Sequence, residues 1–307
     1  MKTLNIIGAG RVGRSLAHLW HKQGVFAVQD VLTQSQASAQ EAVQFIGAGR
    51  AVTDLSDMRT ADLWMLAVPD RHIHAVAQSL AVKITNKIRI KNYVAGIFID
   101  KFAIIFHCSG ALSANELKPL QALGCYVASA HCLLSFSAPS SAVTQFAGTP
   151  CALEGDTVAI QALQLALQAI GANCFELAAK DKVLYHAAAV FATNFLPVLQ
   201  VVAAGLWRSS GMPADMIESL SASLLQKSVQ NISTQGAAKA LTGPAARGDI
   251  DLVAIQGTAV TAWNAQAGSA YAALSQLAMK IAKNVTIQST FENNIQNNIQ
   301  STPTKEK

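Results

Sequence analysis

"LNIIGAGRVGRSLAHLW", residues 4–20, decides how the chain is read. An apolar run ending at Ile7 is followed by Gly8, Gly10 and Gly13 in the G-x-G-x-x-G spacing, and then by a segment with helical apolar periodicity. Each glycine meets a different demand. Gly8 permits the tight turn, Gly10 lets an anion approach the backbone, and Gly13 lets the helix pack close to the strand. The helix N-terminus then offers unpaired N–H groups and the positive end of its dipole to a pyrophosphate. Strand, loop and helix in this order predict a dinucleotide site built from Gly8, Ala9, Gly10, Arg11, Val12 and Gly13, rather than a glycine-rich turn without a ligand.

The end of the second strand speaks to which dinucleotide is bound. It reads "VLTQSQAS", residues 31–38, and no acid follows the strand to accept ribose hydroxyls or repel a 2′-phosphate. Thr33 and Ser35 can donate to such a phosphate and Arg11 can pair with it, so NADP is favoured over NAD. Asp30 is the competing ribose ligand if the strand ends early.

Outward from this unit, short β-branched runs alternate with helix-compatible stretches, as in a parallel sheet covered on both faces. Strands are expected at 3–7, 26–32, 50–53, 63–68, 102–107, 125–129 and 150–154. From about residue 180 the chain is rich in Ala, Leu and Gln with helical spacing. The expected fold is therefore α/β, a doubly wound, mostly parallel sheet followed by an all-helical C-terminal domain. The expected division is 1–178 for dinucleotide binding, 179–285 for the helical substrate and dimerisation domain, and 286–307 for a polar, low-complexity, disordered tail. Pro197 predicts a kink in the longest helix, and further helices are expected over 213–231 and 252–283. Residues 81–101 read as an insertion or excursion.

Of the 307 residues 51% are hydrophobic and 13% charged, which excludes a disordered chain. The net charge of +5 is dispersed except in "KITNKIRIKNY", where Lys83, Lys87, Arg89 and Lys91 occur without an acid. No nucleic-acid motif accompanies that run, so a solvated surface is expected. The apolar window "NYVAGIFIDKFAIIF" is broken by Asp100 and Lys101, and no membrane segment is expected from it. The five cysteines show no C-x-x-C pair and fit reduced thiols better than disulfides or zinc. No secretory signal is visible at the N-terminus, so a cytoplasmic location is expected.

Chemistry gathers where strands end. "LAVPDRHIHAVAQSL" carries Val68, Pro69 and Asp70 under the expected cofactor, while His72 and His74 do not share a helix face and read as surface residues. "IIFHCSGALSANEL" delivers His107 and Ser109 to the same edge, and "VASAHCLLSF" places His131 and Ser135 in the next loop. No G-x-S-x-G elbow or metal-ligand spacing is present. On the first helix of the helical part, "KDKVLYHAAAVFATNFLPV" sets Lys182, His186 and Asn194 among alanines. Polar groups so placed need partners if buried.

Taken together, "GAGRVGRSL", "LAVPD", "HCSGAL", "HCLLSF", "KDKVLYHAAAVFATN" and "LTGPAARGD" resemble the Rossmann-like proteins that carry a C-terminal domain of unknown function, number 2520, over residues 3 to 284. That family is similar in fold to pyrroline-5-carboxylate reductase, to 6-phosphogluconate and 3-hydroxyisobutyrate dehydrogenases, and to deazaflavin-dependent NADP reductases. The resemblance implies a nicotinamide-dependent oxidoreductase, dimeric through its helical domain, without implying a substrate. The chain has His131-Cys132 where the family usually has His-Pro, and residues 83–101 are longer than the family's connection. The lysine and asparagine one turn apart that serve the sugar-acid dehydrogenases are not reproduced by Lys182 and Asn194.

The expected function is hydride transfer between NADP(H) and a small carboxylate-bearing carbonyl or imine. Ser109 and Asn194 would orient the substrate and His186 or His107 would supply the proton, with Arg247 and Asp249 lining the cleft. The alternative is a nucleotide-binding sensor that performs no chemistry.

Overall fold

The computed structural model describes residues 1–94 and 103–283. Residues 95–101 of the basic excursion and the tail over 286–307 lie outside the described residues. The chain divides into two compact units, Met1–Asn194 and Phe195–Lys307.

The first unit is built on eight strands: β1 (Lys2–Ile7), β2 (Phe26–Leu32), β3 (Arg50–Val52), β4 (Leu63–Leu66), β5 (Ile104–His107), β6 (Tyr126–Cys132), β7 (Pro150–Gly155) and β8 (Asn173–Glu176). They form one sheet in the order β3-β2-β1-β4-β5-β6-β7-β8. Every pair is parallel except β6 with β7, which is antiparallel. The helices of this unit are α1 (Arg11–Lys22), α2 (Gln36–Ile46), α3 (Asp70–Val94), α4 (Lys118–Gln121), α5 (Pro139–Gln145), α6 (Thr157–Gln168) and α7 (Lys182–Ala189). The strand order reverses between β1 and β4, and ligands of doubly wound sheets bind at such a switch point, beyond the carboxyl ends of the strands.

Alternate residues of each central strand feed two cores. Ile6, Met65 and Phe106 join Leu16 and Trp20 of α1 on one face. Ile7, Leu66 and Ile105 join Ile73, Ala77 and Leu80 of α3 on the other. All four residues of "LWML" in β4 are buried, as a strand covered on both faces requires. Trp20 Nε1 donates to the Ala166 carbonyl at 2.8 Å, so the largest side chain of this core also satisfies its polar atom.

Two sequence expectations change. Residues 81–94 are not an excursion: they continue α3, whose Ala77, Leu80, Ala81 and Ile84 keep helical spacing against the second core. Lys83 of the basic run is drawn inward, its Nζ donating to the carbonyls of Leu55 and Met58. The strand β8, unexpected from sequence, is a four-residue edge strand paired with β7, and its "NCFE" carries no apolar run.

A five-residue π-type turn, Val190–Asn194, separates α7 from α8 (Phe195–Ser209). The expected disturbance therefore falls just before Pro197, whose missing N–H and ring disrupt the ladder toward the preceding turn. The second unit continues with α9 (Ala214–Gln235), α10 (Ala237–Ala240), α11 (Pro244–Arg247), α12 (Ile250–Trp263) and α13 (Ala265–Ala282). The segment 252–283 is two helices, because Asn264 leaves helical geometry and its side chain accepts from Ala267 N at 2.8 Å to cap α13.

Candidate functional site

Gly8 has φ +84°, and a β-carbon there would lie 2.7 Å from both the Ala67 carbonyl and Val68 Cγ1. A β-carbon at Gly13 would lie 2.6 Å from the Gly8 carbonyl oxygen. Turn and helix are thus locked against β4 by the absence of side chains. Gly10 differs: a β-carbon there meets nothing within 4 Å, so the backbone at the start of α1 borders open space. Open space beside the unpaired first-turn N–H groups of α1 is what a pyrophosphate needs, so this loop fits a dinucleotide. Ala9 is buried, Val12 half-buried and Arg11 exposed.

Beyond β2, Thr33 Oγ1 donates to the Ser35 carbonyl at 2.9 Å, so its hydroxyl proton is already used. Ser35 Oγ accepts from Ser38 N and caps α2, which leaves its own O–H to offer. Asp30 lies within β2 rather than at its end and is fully buried. It accepts from Arg50 Nε at 2.9 Å, Arg59 Nη2 at 2.8 Å and Arg59 N at 2.7 Å. Burial pushes this carboxyl up, but the two guanidiniums outweigh it and hold it at about 2. Asp30 is thus committed to the arginines and is not available as a ribose ligand.

At the carboxyl ends of β5 and β6 the chain builds a polar hub. Ser109 Oγ donates to Asp70 Oδ2 at 2.8 Å and accepts from Ala111 N and Leu112 N, tying the β5 loop to the start of α3. Its carbonyl accepts from Ser129 Oγ at 3.1 Å and from Lys182 Nζ at 3.3 Å, and Lys182 also donates to Ser129 Oγ at 2.6 Å. Lys182 is 1% exposed and has only neutral oxygens as hydrogen-bond partners. Burial pulls its pKa down, opposed through space by Glu154 and Asp70.

His107 is fully buried, and burial lowers its pKa to about 4. Its Nδ1 accepts from Ser109 N at 3.2 Å, so its proton sits on Nε2 and is given to the Ser113 carbonyl at 3.0 Å. Both nitrogens are used in holding the loop. Ser109, whose hydroxyl serves three neighbours, likewise anchors the loop.

His131 and His186 stand differently. His131 Nδ1 lies 2.9 Å from the Tyr185 hydroxyl, and its ring meets that of His186 edge to face with centroids 5.5 Å apart. A β-carbon at Gly110 would sit 2.5 Å from His186 Nδ1 and 2.8 Å from His131 Nε2. His186 Nδ1 is buried without a hydrogen-bond partner. Burial, with the nearby His186 and Lys182, lowers His131 to about 4, so it is neutral at pH 7.

Asn194 stands on the exposed π-type turn, its Oδ1 accepting from Thr193 Oγ1, and takes no part in these hydrogen bonds. Arg247 and Asp249 pair with each other at 2.9 Å in the second unit. Among the described residues no group of three or more His, Cys, Asp or Glu is placed to hold a metal ion. Ser129 and Tyr185 were not singled out by sequence. The period of two along β6 puts Ser129 and His131 on one face, which was the available signal.

Residues 2–132 match the model of a Rossmann-like domain, and residues 149–278 that of a domain of unknown function, DUF2520. No curated protein matches the sequence at a significant level. Among solved structures, protein TM1727 from Thermotoga maritima is 23% identical, with a TM-score of 0.66 over 91% of this chain and 98% of the other. BF3122 from Bacteroides fragilis, provisionally assigned as an NADP oxidoreductase, is 20% identical, with a TM-score of 0.68 over the same shares. Pyrroline carboxylate reductase from Plasmodium falciparum, with NADP bound, is 11% identical, with a TM-score of 0.53 over 92% of this chain and 98% of that one. The likeness extends over both units and establishes the fold.

Proposed function

The chain is a Rossmann-like protein carrying the DUF2520 domain, and on that premise we propose that it is a dinucleotide-dependent oxidoreductase acting on a small carbonyl or imine. One observation carries the reading. The open Gly10 backbone and the Lys182, His131 and His186 cluster belong to the same unit, at the carboxyl edge of one sheet. A nicotinamide dinucleotide bound there supplies or accepts the hydride. The backbone from Gly8 to Gly13 holds its pyrophosphate, with Val68 and Pro69 beyond β4 flanking it. Arg11 and Ser35 face the ribose end; with Asp30 withdrawn into its arginine pair, nothing in that set repels a 2′-phosphate, which supports NADP over NAD.

Lys182, a buried cation on neutral oxygens, gives the site a positive potential and supports a carboxylate-bearing substrate. His186, with a buried nitrogen that has no partner in the protein, is the proton donor to the reduced group. Consumption of NADPH in a screen of small keto and imino acids tests the reading. Turnover of any one supports it, whereas binding of dinucleotide with no turnover across the screen favours the sensor.

We further propose a homodimer through the helical part. The most apolar 18-residue window of the 31-residue run Ala179–Ser209 has a mean hydropathy of 1.8, and none of that window is buried. By length and composition this run could cross a membrane. Its Lys182 and Tyr185 are instead hydrogen-bonded to β6, which supports a second copy of the chain as what covers Val198, Val201 and their neighbours.

A further inference from the structure

We propose that Cys132 and Cys151 are a redox-active thiol pair, closed to a disulfide by hydrogen peroxide and reopened by a small thiol. Backbone register brings the two together. Cys132 of β6 stands directly opposite Cys151 of β7 in an antiparallel pairing. The Val127 carbonyl accepts from Asp156 N at 2.8 Å and the Pro150 carbonyl from Leu133 N at 2.8 Å, so the hydrogen-bonded pairs of this ladder fall on the odd-numbered residues of β6. Cys132 and Cys151 therefore form a non-hydrogen-bonded pair, the kind whose α-carbons lie about 4.5 Å apart and whose side chains come closest. A disulfide spans about 4.4–6.8 Å between α-carbons, so the backbone already suits the bond. Independently of the register, the two sulfurs lie 2.8 Å apart.

Both side chains belong to the core that includes Leu16 and Trp20 of α1, Cys151 fully buried and Cys132 nearly so. Cys108 and Cys174 pack against the same core, yet among the described residues Cys132 and Cys151 are the pair whose sulfurs meet. Cys174 lies opposite Cys151 on β8, but its sulfur faces the Gln164 carbonyl of α6 at 4.0 Å. Cys125 sits in the other core. The hydrogen bond to Cys151, together with burial, pushes the Cys132 thiol up, so it stays protonated and a slow first oxidation is expected. The second step is favoured by a partner thiol already in contact. Burial also selects small reagents, a neutral peroxide and a low-molecular-weight thiol, over a protein partner.

Peroxide converts one thiol to a sulfenic acid, and its other oxygen leaves as water. The sulfur of the second thiol displaces the sulfenic hydroxyl and forms the S–S bond, and its proton departs with that hydroxyl as a second water. Two electrons thus leave the pair and reduce the O–O bond. Two equivalents of a small thiol reverse the step and depart as their own disulfide. The closed bond ties β6 to β7 one residue past His131, so β7, with β8 paired to it, is covalently held to the strand that carries that histidine. No dinucleotide takes part, and the bond forms whether or not the chain is an oxidoreductase.

The test is peroxide treatment of the folded full chain without cofactor, followed by alkylation in denaturant and mass spectrometry. Expected are a mass lower by about 2 Da before alkylation, a fall in alkylatable cysteines from five to three as the bond takes two, and a peptide pair joined through Cys132 and Cys151. Dithiothreitol should restore all five. Cys151→Ser should abolish the linkage, whereas Cys174→Ser should leave it in place. Five alkylatable cysteines after treatment overturn the proposal, and so does sulfinic or sulfonic acid at Cys132 or Cys151 in place of the bond. A linkage through Cys108 or Cys174 in the wild type overturns it as well, and none of these three outcomes needs a variant to fold.

Discussion

The imidazole of His186 stands edge-on to that of His131, ring centroids 5.5 Å apart and planes at 82°, and the missing β-carbon of Gly110 makes room for this approach. Gly110→Ala must therefore move one ring or the loop. Turnover should fall by about 10-fold or more, as expected when a proton-transfer group is displaced, while dinucleotide affinity stays within error. Retained turnover in Gly110→Ala would mean that the two rings need not be held together.

His186→Gln removes the proposed donor and keeps a side chain of similar size. A loss of turnover of about 10²-fold or more is expected, the usual contribution of a positioned acid. An equal rate in the variant would remove His186 from the mechanism.

Asp30→Asn should leave the ratio of NADPH to NADH affinity unchanged, because Asp30 is committed to Arg50 and Arg59 and not to a ribose. The variant should lose about 1–3 kcal/mol of stability, the usual cost of leaving charged hydrogen bonds unmade. The folded carboxyl lies at about 2 against an ordinary 3.8, so its stabilisation is fully present above pH 4 and is lost as the pH falls through about 2. Chemical denaturation at pH 7 and pH 2 checks the sign: the gap between wild type and Asp30→Asn should shrink at the lower pH.

Val201 is 72% exposed on α8. If a second copy covers this face, Val201→Asp should convert a dimer to monomer in sedimentation equilibrium without altering the fold. A wild type that sediments as monomer throughout the micromolar range would end the dimer proposal.

Much of the first unit was legible because its signals are local. Gly8, Gly10 and Gly13 are spaced within one turn and one helix start, and "LWML" has no polar residue to expose. The antiparallel β7 and the short β8 were less legible, since direction and edge pairing depend on partners remote in sequence. Residues 81–94 misled because their β-branched residues and asparagines lower helix propensity, while packing of Ala81 and Ile84 against the second core decides the outcome. Within the site, the i, i+4 spacing of Lys182 and His186 was visible. That Lys182 would reach Ser129, and His131 would reach Tyr185, depends on β6 meeting α7, which no periodicity in either segment records.

Binding of NADPH to wild type and to Gly10→Asp, followed by nucleotide fluorescence, tests the central claim most directly. A side chain at residue 10 meets no protein atom within 4 Å of its β-carbon, so the variant should fold normally while filling the space of the pyrophosphate with a carboxylate. Tight binding by wild type, abolished in a folded Gly10→Asp, is the predicted result. No binding of NADPH or NADH by wild type, or equal binding by the variant, would contradict the account and leave Gly8 to Gly13 as a turn between β1 and α1.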